Sequence, residues 1–139
     1  MAARAKTKGI DKSVIETGVV PNGVTIPEGV GVKFTANPGE ITVAVAGDAA
    51  VGVALETVVG DGKKTIQFVA LTGGAVVKVK VTTGPIAAGA YLECAAGGFA
   101  ARTLGGGTVL RNICGTAWEA GATGDFIGML VGKFAGVSA

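Results

Sequence analysis

Val77-Lys78-Val79-Lys80-Val81 alternates branched apolar residues with lysines, so the three valines share one face and the two lysines the other. That period of two belongs to a half-buried strand, with one side against a core and the other in water. Working outward, Ile41-Thr42-Val43-Ala44-Val45-Ala46 alternates large and small side chains in the same way. Further strands are expected over 30–35, 52–56, 65–71, 91–95, 99–102, 115–119 and 125–131. Turn signals separate them: Pro21-Asn22-Gly23, Asn37-Pro38-Gly39, Gly60-Asp61-Gly62, Gly73-Gly74, Gly97-Gly98 and Gly105-Gly106-Gly107. The only helix the pattern admits is a single turn near 85–90. Short strands at such close intervals predict an all-β fold, a small compact β-barrel or sandwich of short antiparallel strands with a flexible N-terminal arm.

Composition supports that reading. Of 139 residues 49% are hydrophobic, yet Trp, Tyr and Phe make up only 5% while 25 are glycine, so Val, Ala, Ile and Leu carry the apolar content. Such a mixture favours strands and turns over long helices. A chain of this length buries a core without staples. Glycine or a charged residue interrupts every apolar run before it reaches the roughly 20 residues of a membrane-spanning helix, so no membrane is expected as a partner.

Charge divides the chain in two. Residues 1–12 hold Arg4, Lys6, Lys8 and Lys12 against Asp11, whereas the remainder is close to neutral within a total of +2. The expected organisation is a basic arm over 1–13 and a single β domain over 14–139. Such an arm is either a solvated terminus or a contact for an acidic surface or nucleic acid. It lacks the apolar stretch of a secretory signal, so export by that route is not expected. Cys94 and Cys114 have no C-x-x-C spacing, and there is no histidine. Zinc and redox motifs are therefore absent, and free thiols serving as small apolar side chains are favoured over a disulfide.

Catalysis finds little support. Without histidine, acid–base work falls to carboxylates, and these are scattered singly. Gly60-Asp61-Gly62-Lys63-Lys64-Thr65 fails as a phosphate loop, because a second lysine separates the first from the hydroxyl and the first glycine is misplaced. It also lacks the aspartate spacing of a calcium loop. No enzyme activity, cofactor or metal is expected. One internal similarity stands out: Gly52-Val53-Ala54-Leu55-Glu56-Thr57 before Gly60-Asp61 matches Gly115-Thr116-Ala117-Trp118-Glu119-Ala120 before Gly124-Asp125. It reads as a pseudo-repeated hairpin or as two hairpins converging on one pattern, with Glu56 and Glu119 as rim charges. Trp118, in the place of Leu55, is either a core residue or an interface anchor. Tyr91 and Phe99 flank a predicted hairpin and are expected to pack together.

Val51-Gly52-Val53-Ala54-Leu55-Glu56, a Gly-Asp turn, an apolar strand ending in Gly73-Gly74, the Val/Lys alternation, Gly84-Pro85-Ile86-Ala87-Ala88-Gly89-Ala90-Tyr91-Leu92, Gly97-Gly98-Phe99-Ala100, and Gly115-Thr116-Ala117-Trp118-Glu119-Ala120 with Gly124-Asp125-Phe126-Ile127 follow one another in an order that resembles the small capsid decoration, or cement, proteins of tailed bacteriophages. The resemblance spans about 18–131; the triple-glycine loop at 105–107 and Cys114 have no match in it. It implies a β-barrel on the outer surface of the virion capsid, a homotrimer at local threefold positions, with the major capsid protein as partner; no nucleic acid is expected, because an aromatic stacking platform among basic residues is missing. It also implies that the shell is stabilised against packaged DNA by bridging capsid subunits. Arg4, Lys6, Lys8, Ile10, Val14, Ile15 and Trp118 are the candidate contact residues, the arm lying on the capsid or adding a strand to it. Two other classes compete: a tail-tube or head-fibre subunit, and a nucleic-acid-binding module, which would need a stacking platform of aromatics among basic residues.

Overall fold

A computed structural model describes residues 14–139 together with the backbone of Thr7 and Lys8. In chain order the strands are β1 (Thr7–Lys8), β2 (Ile15–Val19), β3 (Thr25–Ile26), β4 (Gly31–Phe34), β5 (Ile41–Val43), β6 (Gly52–Ala54), β7 (Val58–Val59), β8 (Thr65–Ala70), β9 (Val76–Thr83), β10 (Tyr91–Ala95), β11 (Gly98–Arg102), β12 (Leu110–Ala117) and β13 (Phe126–Val137). The fold is all-β.

β9 organises the larger half. Val77, Val79 and Val81 are buried while Lys78 and Lys80 lie on the other face. β9 pairs antiparallel with β13, setting Val79 opposite Ile127 and Val77 opposite Met129, and pairs parallel with β11 through Val81 and Phe99. Because β11, β10, β12 and β13 are also joined in that order, the five strands close into a barrel. The parallel contact arises because β10 stands one place away from β9 and its hairpin returns β11 into the gap. Gly97 at φ 80° makes the tight turn. At Gly98 a side chain would strike the Lys80 carbonyl, so only glycine lets β11 come this close to β9. β1 pairs with the start of β9, Thr7 opposite Val77 and Lys8 opposite Val76.

The smaller half is an antiparallel sheet in the order β2-β8-β6-β4-β5, whose two edges meet at a bridge between Val19 and Glu40. A separate ribbon joins β3 and β7. Inside the curl Val20, Ile26, Val30, Val32, Ile41, Ala54, Ile66 and Phe68 form one apolar cluster. The other cluster fills the barrel with Val77, Val79, Leu92, Phe99 and Met129 and runs on to Val53, Leu55, Val69 and Leu71. Strands β6 and β8 therefore feed both clusters, Val53 facing one and Ala54 the other. Full burial of each such Val or Leu stabilises the fold by roughly 1.5–3 kcal/mol.

Some expectations change. The segment 85–90 is not a helical turn: Ile86 donates to the Gly121 carbonyl and accepts from its N–H (2.7 and 3.0 Å), so its backbone is committed to an extended bridge. The last hairpin is longer than predicted, since β12 begins at Leu110 and β13 runs to Val137. The strands β1, β2, β3 and β7 were not anticipated.

Candidate interface on the barrel exterior

Residues directly opposite one another on paired strands share a face. Tyr91 opposes Thr116, Thr116 opposes Leu130, and Leu130 opposes Val76. These four form a row on the barrel exterior, because their chain neighbours Leu92, Met129 and Val77 point into the core. Phe134 meets Tyr91 edge-on, ring centroids 5.4 Å apart and planes at 82°. Trp118 lies beside this row. Its N–H donates to the Gly128 carbonyl (2.8 Å), and the space a Gly128 side chain would take is bordered by Trp118 Cβ at 3.1 Å and Val76 Cγ1 at 3.2 Å. Trp118 as a residue is 56% exposed. Trp118, Leu130, Tyr91 and Phe134 together make an exposed apolar strip.

Fixed charges border the strip. Lys78 pairs with Glu119 at 2.6 Å, and the same carboxylate oxygen accepts the Gly128 N–H at 3.1 Å. The lysine and that N–H together hold the Glu119 carboxyl below the usual carboxylate range. At the other end is Glu93, 4% exposed although its pairing with Ala100 and Ile113 places it on the exterior side. Arg102 covers it, donating from Nε to Oε1 at 2.7 Å. Arg111 Nε stands 3.9 Å from Oε2, and neither of these two atoms has a hydrogen-bond partner among the described residues. Two guanidiniums over one carboxylate leave this end of the strip positive.

A β-bulge builds that corner. Leu92 pairs with Gly115 but Glu93 with Ile113, so Cys114 is an extra residue on β12. Cys114 turns into the core, while Ile113 comes out beside Glu93 and opposite Phe134, where it is fully buried.

Of the contact residues read from the sequence, Trp118 is on this surface, which resolves its two readings against the core. Arg4, Lys6 and Ile10 lie outside the described residues. Lys8 belongs to β1, on the β9 edge. Val14 and Ile15 are half-buried and pack against the larger cluster of their own chain. The strip's other members were not singled out as contacts. Tyr91 and Phe99 do not pack together: Phe99 points into the core, whereas Tyr91 faces out to Phe134, because strand alternation puts them on opposite sides of the sheet. The sequence signal for Glu93 was present, a lone acid amid apolar residues, but its cover comes from Arg102 and Arg111 on other strands.

Glu56 and Glu119 are chain-pinning groups as well as rim charges. Leu55 N–H donates to Gln67 O and Gln67 N–H donates to Glu56 Oε2, both at 3.0 Å. Trp118, Gly128 and Glu119 repeat that arrangement. Among the described residues no group of three or more His, Cys, Asp or Glu is placed to hold a metal ion, and no helix is long and apolar enough to cross a membrane. No family model matches the chain, and a search of curated proteins found no match.

Proposed function

We propose that this chain is a capsid decoration protein of a tailed bacteriophage, a non-enzymatic clamp on the outer surface of the head that bridges major capsid subunits, acting as a homotrimer at local threefold positions. The observation that carries the reading is the exposed apolar strip of Trp118, Leu130, Tyr91 and Phe134 on a closed barrel, bordered by the pinned pairs Lys78–Glu119 and Arg102–Glu93. Aromatic side chains held on a rigid sheet and rimmed by charge have the make-up of a protein-binding surface. The order of motifs that resembles decoration proteins names the partner. Strand β1 adds an argument for the arm: a segment that pairs with the edge of its own β9 has the backbone conformation needed to pair with a capsid strand. Modest contacts suffice, because many copies on one lattice, each touching several subunits, gain through multivalency.

The test is to mix purified protein with expanded heads that lack decoration. Saturable co-sedimentation and a higher temperature of head rupture are expected. Failure to bind any head lattice would sink the proposal, and rings or fibres formed without heads, seen by negative-stain microscopy, would point instead to a tail-tube or head-fibre subunit.

A further inference from the structure

The larger cluster contains two thiols that lie against each other. Cys94 on β10 and Cys114 on β12 are both about 1% exposed, and their Sγ atoms lie 3.8 Å apart. Their strands are direct neighbours, with Glu93 beside Cys94 paired to Ile113 and Leu92 paired to Gly115, the two residues that flank Cys114. The bulge is what brings them together, since it turns Cys114 inward. Opposite them Gly31 of β4 supplies space: any side chain there would collide with Cys94 Sγ. We infer that Cys94 and Cys114 are an oxidative modification site, a dithiol that closes to a disulfide within the barrel and ties β10 to β12.

Bond formation needs the sulfurs, 3.8 Å apart, to approach by under about 2 Å in total. The two sulfurs share one S–H···S contact in which either can be the donor, so one thiol acts as nucleophile and the other resolves. Burial restricts the oxidant to a small one, hydrogen peroxide. One cysteine, as its thiolate, attacks one peroxide oxygen; an S–O bond forms, the O–O bond breaks, and hydroxide leaves and takes up a proton. The second sulfur then attacks the sulfenic sulfur; the S–S bond forms, the S–O bond breaks, and the departing oxygen leaves as water with the second thiol's proton. Two thiols lose two electrons and one peroxide becomes two waters.

The bond closes a loop that contains β11 and the glycine-rich segment 105–107. A loop of this length, constrained in the unfolded chain, raises the thermal midpoint by about 10 °C for a domain of this size. This holds whatever the exterior strip binds.

The experiment treats the folded full-length protein with hydrogen peroxide or with a phosphine reductant, then denatures it and alkylates free thiols for intact-mass measurement, with thermal melts run in parallel. After peroxide the wild type is expected to take up no label, to lose two hydrogen atoms, and to melt about 10 °C higher, the reductant reversing all three. Cys114→Ala and Cys94→Ala should each show no loss of two hydrogen atoms, the remaining sulfur carrying either the label or added oxygen, and no rise in midpoint on oxidation. Two labels on peroxide-treated wild type, oxygen adducts without hydrogen loss, a disulfide that joins two molecules, or a bond that leaves the midpoint unmoved would each overturn the inference. The wild-type measurements decide it even if an alanine variant does not fold.

Discussion

Two hairpins share one backbone design and use it in opposite ways. In the first, Leu55 and Glu56 sit at the end of β6; in the second, Trp118 and Glu119 follow β12. In each, the residue before the glutamate donates its N–H to a carbonyl on the strand paired alongside, β8 in the first and β13 in the second, and the glutamate accepts the N–H of that same residue. Yet Leu55 is 4% exposed and points into the larger cluster, whereas Trp118 is mostly in solvent. The glutamate is thus the structural constant, because it satisfies a strand N–H that would otherwise lack a protein partner. The residue before it is free to serve the core or the surface. A large aromatic at the outward position has no folding task to explain it, and that makes Trp118 the anchor of the proposed contact.

The strongest way to break the comparison is to truncate both residues. Leu55→Ala removes a buried side chain from the larger cluster and should cost about 2–5 kcal/mol of stability. Trp118→Ala removes an exposed one and should stay within about 0.5–1 kcal/mol of the wild type. Urea unfolding of the two variants measures this directly; equal losses would mean that the indole packs as core. Binding should reverse the order. Trp118→Ala is expected to weaken attachment to expanded heads by at least about tenfold, the scale of a hot-spot truncation, read from saturation in co-sedimentation. A folded Leu55→Ala should bind as the wild type does.

The hairpin difference also shows where sequence reading succeeds. The alternation around Val79 identified β9, and the turn at Gly97 placed β10 at its observed bounds, because in both a period of two coincides with one buried face. The distal half of the last hairpin was missed for the opposite reason. Gly132, Lys133 and Gly136 break the pattern on β13, and Leu110 and Val137 are apolar but exposed, so those residues are strands by pairing with each other rather than by facing a core. The two-residue strands β3 and β7 are too short to show any period. At the site, Trp118 was legible as a candidate but not as exposed, since the same G-x-A-x-E pattern holds Leu55 inside. Glu93 stands out in the sequence as a lone acid, but its burial was not legible, because that depends on a bulge and on arginines from two other strands.

A smaller effect tests the seat of the indole. Gly128→Ala sets a methyl at 3.1 Å from Trp118 Cβ and 3.2 Å from Val76 Cγ1, closer than comfortable contact on two sides. A loss of about 1–2 kcal/mol is expected, the scale of modest overpacking. Head binding should fall with it, since the indole must shift. Tryptophan fluorescence gives an independent reading: an unchanged emission maximum would show that Trp118 does not rest on Gly128.

The smallest effect separates the two glutamates by charge. Glu119 has the Lys78 ammonium beside it, while Glu56 makes no ion pair among the described residues. Glu119→Gln keeps an acceptor for the Gly128 N–H and removes only the charge. Because the folded-state pKa of Glu119 is lowered, its carboxylate contributes stability that is fully present above the unfolded value of about 4.3. That contribution is lost as pH falls through the lowered folded value. The side chain is 44% exposed, so solvent screening limits it to a few tenths of a kcal/mol. Wild type should therefore exceed Glu119→Gln by that small margin at pH 7, and the two melting curves should converge in acid. Asp48, lowered by Lys33 and the Val45 N–H, titrates identically in both chains and drops out of the difference. A gap that persisted unchanged below the folded value would show that Glu119 holds its strand through the hydrogen bond alone, as Glu56 does, and would make the two hairpins equivalent in everything but the side chain that precedes the glutamate.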